Sequence, residues 1–199
     1  MFRSLLALTL VAIMGPALAA PTEERRQTNC ADVMVFFARG TTEAAPIGSV
    51  VGPPLRTALA AALGGRSLSF TGVDYPATVA GFLEGGDPQG SRTMAQDLTN
   101  AANACPNARL VSSGYSQGGQ LVHNSAAMLS SAVSSRIAAV VIFGDPDDGE
   151  AVAGISSSRV DVICHAGDNI CEHGTLVLPP HLTYGQDTPA AASFIASRV

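Results

Sequence analysis

The segment Ala108–Gly118 constrains this chain more than any other: a short apolar run, Ala108-Arg109-Leu110-Val111-Ser112, leads through Ser113 into Gly114-Tyr115-Ser116-Gln117-Gly118. After it, Leu121-Val122 and Met128-Leu129 put apolar residues at i, i+1, i+7 and i+8, a helical spacing. A strand, a G-x-S-x-G turn and a helix in succession form an elbow. The serine sits in a strained turn with its hydroxyl projecting beside a helix N-terminus, and the flanking glycines let the two chains approach closely. Such an elbow requires a sheet whose neighbouring strands are also buried, so the rest of the sequence should supply more strands and crossover helices.

It does. Continuous apolar runs at Val33–Ala38, Ser67–Val73, Arg109–Ser112, Ala138–Phe143 and Arg159–Ile163 read as strands. Helical patterns fall between and after them, around Val50–Leu63, Ser91–Asn103, Gln117–Ser131 and Pro189–Arg198. With no internal repeat and no linker, the expectation is one α/β domain of the α/β-hydrolase type. Its sheet would be doubly wound, mostly parallel and five-stranded, with helices on both faces and functional loops at the carboxyl ends of the strands. The 199 residues suffice for one such core.

Met1-Phe2-Arg3, the apolar run Ser4–Ala17 and the small residues Ala17-Leu18-Ala19-Ala20 read as a secretory signal peptide over residues 1–20. Gly15-Pro16 breaks the run, which is too short for a spanning helix of roughly 20 residues. Arg25-Arg26 resembles a dibasic processing site, so 21–26 is expected to be a pro-segment and 27–199 the catalytic domain, secreted and monomeric, with no membrane partner. A net charge of −5 argues against nucleic acid as a partner. All eleven basic residues are arginines, which removes Schiff-base and P-loop lysine chemistry. There is no tryptophan, hence no indole platform for sugars.

In an oxidising compartment the even set Cys30, Cys105, Cys164 and Cys171 is expected to form two disulfides. Cys164 and Cys171 are close enough to close a tight loop, which leaves Cys30 with Cys105. The competing reading is a zinc site that recruits His165 and His173, but the spacing is not that of a finger and thiols here oxidise, so no metal is expected.

A nucleophilic Ser116 needs a base and an orienting acid, which in this fold class follow in the order Ser, Asp, His. His165, His173 and His181 lie far enough downstream. His181 is preferred because it follows Pro179-Pro180 on a loop before the terminal helix. His123, two turns into the elbow helix, faces away from the serine and reads as a packing or surface residue. Asp168 is preferred as the acid because it lies inside the Cys164–Cys171 loop. Asp145 is its rival, although Asp145-Pro146-Asp147-Asp148-Gly149 also reads as an acidic turn.

Four ordered motifs carry a further resemblance across the chain: Phe36-Phe37-Ala38-Arg39-Gly40-Thr41-Thr42-Glu43, Gly114-Tyr115-Ser116-Gln117-Gly118, Cys164-His165-Ala166-Gly167-Asp168-Asn169-Ile170-Cys171 and Pro180-His181-Leu182-Thr183-Tyr184-Gly185. On these the chain resembles the fungal cutinases, within the cutinase and acetylxylan esterase family of serine esterases. The resemblance implies Ser116 as nucleophile, Asp168 as acid, His181 as base and the same disulfide pairs. It also implies an oxyanion hole from Thr41 and Gln117, with Thr where the family's familiar residue is Ser. No metal or cofactor is implied. The expected partner is an insoluble aliphatic polyester such as cutin, or a short-chain acyl ester, held by apolar residues of two loops: Val79, Phe82 and Leu83, and Leu176, Val177, Leu178 and Leu182. Acetylated xylan is the alternative substrate. A secreted binding protein without catalysis is a remote one, since Ser116 and His181 are both present.

Overall fold

The computed structural model describes residues 30–199. The expected leader and pro-segment lie outside the described residues. Five strands, β1 (Val33–Ala38), β2 (Leu68–Gly72), β3 (Arg109–Tyr115), β4 (Ile137–Phe143) and β5 (Val160–Ile163), form one sheet in the order β2-β1-β3-β4-β5. Every pairing is parallel, as crossover connections require. The helices are α1 (Gly52–Ala62), α2 (Val79–Leu83), α3 (Pro88–Ala104), α4 (Gln117–Met128), α5 (Ser131–Ser134) and α6 (Thr188–Ala196). Among the described residues, no helix is long and apolar enough to cross a membrane.

Side-chain alternation along the strands divides the core in two. Val33, Val35 and Phe37 of β1, with Ala139, Val141 and Phe143 of β4, pack against Leu55 and Leu59 of α1 and Ala192 and Ile195 of α6. Phe36 and Ala38 of β1, with Val140 and Ile142 of β4, pack against Met94 and Leu98 of α3 and Leu121 and Val122 of α4. The period of two thus feeds both faces, which is why these strands read as unbroken apolar runs. Ile137 departs from the period. The register steps from Leu110↔Ile137 to Val111↔Ala139, so Ala138 is an extra residue and Ile137 joins Leu110 in the second core.

β1 and β4 agree with the sequence reading within one residue. β3 runs three residues further than expected, through Ser113 to Tyr115, because its polar Ser112 and Ser113 lie buried between β1 and β4. α2 and α5, at five and four residues, are too short to show a helical period; the sequence reading has α2 as loop and ends the elbow helix at Ser131, the first residue of α5. From β1 the chain goes to β2 on one side of it, then returns to β3 on the other. The crevice at the carboxyl ends of β1 and β3 is therefore the topological switch point, where such sheets bind ligands.

Candidate active site

Ser116 lies in that crevice at the N-cap of α4, with φ 56° and ψ −125°, a left-handed backbone position that is strained for a residue with a side chain. The turn is held by the Ser116 N–H donating to Phe143 O at 2.9 Å and the Gly119 N–H donating to Ser116 O at 2.7 Å. Its tightness demands the flanking glycines. A Cβ on Gly114 would stand 2.2 Å from Gly118 O, and one on Gly118 would stand 2.0 Å from Ala38 O.

His181 sits on a 3-10 turn, Pro179–Leu182, and is 2% exposed. Its ring stacks on Tyr115, with centroids 5.1 Å apart, and the Tyr115 hydroxyl donates to His181 O at 2.8 Å. A Cβ on Gly144 would come within 2.9 Å of Nδ1. The imidazole is thus laid over the junction of Tyr115-Ser116 with Phe143-Gly144. Nδ1 meets Asp168 Oδ2 at 2.7 Å, which fixes the tautomer with Nδ1–H donating and leaves Nε2 as the basic nitrogen. Nε2 is buried and has no hydrogen bond among the described residues.

Asp168 is fully buried. Its Oδ1 accepts from the Ile170 N–H at 3.0 Å, and its Oδ2 also accepts from the Tyr184 hydroxyl at 2.6 Å. Burial first, then the hydrogen bond to Asp168, push the Tyr184 phenol well above its usual pKa, so it stays a donor. The Tyr184 oxygen in turn accepts from the His165 N–H at 2.9 Å. The disulfide Cys164–Cys171 closes the loop that carries Asp168, and Cys30–Cys105 is the second pair. With both cysteines of that loop oxidised, the zinc reading has no thiolates. His165 instead pairs with Asp187 at 2.8 Å, and His173 Nδ1 faces Pro146 O at 2.8 Å.

Thr41 stands on the loop after β1. Glu43 organises that loop: its carboxylate accepts from the N–H groups of Gly40 at 2.8 Å, Ser49 at 2.8 Å and Val50 at 2.9 Å. Buried Arg39 donates to Glu43 O and to Tyr75 O, each at 2.7 Å. Gln117 Nε2 donates to Thr78 O and to Thr41 Oγ1, each at 2.8 Å. A peptide carbonyl can only accept, so the Thr78 contact fixes the amide orientation. Thr41 Oγ1 is therefore an acceptor from Gln117, and its own proton is directed elsewhere.

The two apolar loops expected to hold substrate are largely exposed. Val79, Leu83, Leu176, Val177, Leu178 and Leu182 are exposed, whereas Phe82 is half-buried. α2 is tied to the Ser116 turn through the Thr78–Gln117 hydrogen bond, and Leu182 adjoins His181.

Asp145, the rival acid, is fully buried rather than part of an open acidic turn. It pairs with His123 Nε2 at 2.9 Å and accepts from the Asp147 N–H at 3.0 Å. The histidine and the carboxylate not chosen from the sequence thus satisfy each other. His123, Asp145 and Asp147 also bring ligand-type atoms within 4.8 Å of one another, and the His123–Asp145 hydrogen bond already joins two of the three. Sequence reasoning missed Tyr184, Glu43 and the His123–Asp145 pair. Only the placement of Tyr184 three residues after His181 and of Glu43 two after Thr41 could have hinted at them.

Comparison with known proteins identifies the family. The Cutinase family model matches residues 29–199. A cutinase of Botryotinia fuckeliana is 58% identical over 188 residues, covering 94% of this chain and 93% of its own. The solved structure of Trichoderma reesei cutinase in complex with a phosphonate inhibitor superposes with TM-score 0.82 at 46% identity, over 84% of this chain and 76% of that one. An acetylxylan esterase structure shares the fold at TM-score 0.68 and 22% identity, over 85% of this chain and 99% of its own. The chain belongs to the cutinase family.

Proposed function

We propose that the protein is a secreted serine esterase that hydrolyses the ester bonds of cutin and of short-chain acyl esters through an acyl-enzyme on Ser116. The observation that carries this reading is the buried chain Tyr184–Asp168–His181, which ends in a free Nε2 beside the strained Ser116 elbow. His181 Nε2 takes the Ser116 proton as Oγ attacks the ester carbonyl, and Asp168 steadies the imidazolium that forms. The hydrogen bond from Ser116 to His181, not made among the described residues, forms as substrate is engaged. His181 then gives the proton to the departing alcohol. Water, deprotonated by the same nitrogen, releases the acid.

The carbonyl oxygen that becomes the oxyanion is received by the backbone N–H groups of Thr41 and Gln117 and by the Thr41 hydroxyl. Gln117 Nε2 occupies a lone pair of Thr41 Oγ1, so the hydroxyl proton is free to donate to the oxyanion. The extra methyl of threonine restricts the rotamer that this hydrogen bond selects.

Exposed Val79, Leu83, Val177 and Leu182, with half-buried Phe82, are read as an apolar rim beside the serine, supported by the tie from Thr78 to Gln117 and by the adjacency of Leu182 to His181. Such a rim suits aliphatic acyl chains and can dock on a polymer surface too large to enter a pocket. Two disulfides suit an extracellular enzyme. A monomer is part of the same reading.

Hydrolysis of p-nitrophenyl esters of increasing length tests the substrate class. kcat/KM should rise from acetate to butyrate, since each buried methylene contributes up to about 0.8 kcal/mol, and an aliphatic polyester film should be eroded. A preference for acetylated xylan, with no gain from acetate to butyrate, would favour the acetylxylan esterase reading.

A further inference from the structure

The end of the sheet opposite Ser116 carries a feature that ester hydrolysis does not use. A cavity of about 500 Å³ opens there, between the starts of β3 and β4 and the C-terminal end of α6, and four arginines line it: Arg109, Arg136, Arg159 and Arg198. They are four of the eleven basic residues of a chain whose net charge is −5, so the local charge runs against the overall one. Among the described residues, no Asp or Glu lines the cavity. Outside the lining, Arg198 acts on Asp161; burial, the larger effect, holds that acid above its usual pKa.

Structural anchoring accounts for only part of the hydrogen-bonding capacity of these guanidiniums. Arg136 donates from Nη1 to Ala102 O and from Nη2 to Cys105 O and Ala108 O, which leaves Nε–H. Arg159 uses only Nη1, chiefly toward Ile137 O at 2.6 Å, so Nε and Nη2 are unused. Arg198 is held by Nε to Ser158 O and by Nη1 to Phe194 O, and its guanidinium stacks on Phe194 at 3.4 Å; Nη2 is unused. The exposed Arg109 side chain makes no hydrogen bond among the described residues. Three guanidiniums are therefore fixed in place by the backbone with donors to spare: Arg159 keeps a paired Nε–H and Nη2–H edge, and Arg136 and Arg198 each keep a single donor nitrogen. The exposed fork of Arg109 stands beside them. A paired edge matches the two oxygens of a carboxylate or phosphate, single donors add to it, and the cost of ordering the three has been met in folding.

We propose that this cavity binds a small multivalent oxyanion, one carrying two or more carboxylate or phosphate groups. A single small anion would leave most of the four charges unanswered, and the volume accommodates more than one such group. The site lies about 20 Å from Ser116, the length of a seven-residue strand, so its ligand is not the ester substrate.

The test uses the disulfide-intact protein with citrate and with pyrophosphate, each against chloride at matched ionic strength. Binding is followed by the arginine Nε–Hε NMR signals. The expected result is saturable shifts of Arg109, Arg136, Arg159 and Arg198 with little change at Arg39, Arg56, Arg66 and Arg92. Stronger binding of citrate or of pyrophosphate identifies carboxylate or phosphate as the preferred group. Arg109→Gln should weaken binding about tenfold, the value of one charge-assisted contact, without altering the melting temperature of the free protein. Arg159→Lys, which keeps the charge but not the fork, should weaken it as well. Turnover of p-nitrophenyl butyrate should be unchanged at saturation. Shifts spread evenly over these eight arginines, no saturation beyond the chloride control, or inhibition competitive with the ester would each overturn the proposal.

Discussion

Tyr184 and His181 share one oxygen: the tyrosine hydroxyl donates to Asp168 Oδ2 at 2.6 Å, and His181 Nδ1 reaches the same Oδ2 at 2.7 Å. The phenol thereby withdraws electron density from the carboxylate that must balance the imidazolium, and it locks the carboxylate plane. Tyr184→Phe should lower kcat roughly tenfold, the worth of one hydrogen bond to a charged group, with KM little changed. Steady-state kinetics on Tyr184→Phe check this, and an unchanged kcat would reduce Tyr184 to packing.

The two buried aspartates should separate by phenotype. Asp168→Asn removes the acceptor for His181 Nδ1–H and should cost about 10⁴ in kcat, since the wrong tautomer is then favoured. Asp145→Asn touches His123 and the Asp147 N–H instead. It should leave kcat within a few-fold while lowering stability by about 1–3 kcal/mol. Steady-state kinetics and urea melts on both variants decide the assignment.

Thr41 offers a test of the hydroxyl in the oxyanion hole. Thr41→Val keeps the shape and the backbone N–H but has no proton to donate, so kcat should fall about 10²-fold or more. Thr41→Ser should retain most of the activity, since Gln117 Nε2 can orient its hydroxyl in the same way. Equal losses in both variants would assign the effect to loop packing.

His123 links stability to pH. Burial opposes its protonation, but the hydrogen bond to Asp145 and the charges of Asp145, Asp147 and Glu150 outweigh it, and its pKa stands above the usual 6.5. A raised folded-state pKa for a histidine means stabilisation that is complete below the unfolded value and is lost as pH rises through the folded one. The wild type should therefore exceed His123→Gln in melting temperature by roughly 2–4 °C below pH ~6.5. The gap should narrow on the alkaline side. Melting curves across this range check the sign.

Much of this could be read before any coordinates because the governing signals are local. The Ser116 elbow is written in consecutive residues, and β1 and β4 are apolar runs that only a doubly covered sheet would bury. What escaped the sequence is held by distant partners. Tyr184 meets Asp168 across 16 residues and His123 meets Asp145 across 22, so neither pairing leaves a periodic trace. The end of β3 looked like a turn because Ser112-Ser113-Gly114 is polar and small. Pairing to β1 and β4 on both sides overrides that preference. α2 depends on a single cap, the Thr78 hydroxyl accepting from the Gly81 N–H at 3.0 Å, and it is too short to show amphipathic spacing.

The central claim is that Ser116 is the nucleophile, activated by His181 and Asp168. Its most direct test is covalent capture with a p-nitrophenyl alkylphosphonate, followed by intact-mass and peptide mapping. One equivalent of p-nitrophenol should be released per protein, the adduct should map to Ser116 alone, and activity should vanish in step with labelling. Ser116→Ala should release none and should retain less than about 10⁻⁴ of wild-type turnover while remaining folded. An adduct on another residue, or a folded Ser116→Ala protein with near-normal esterase activity, would contradict the account.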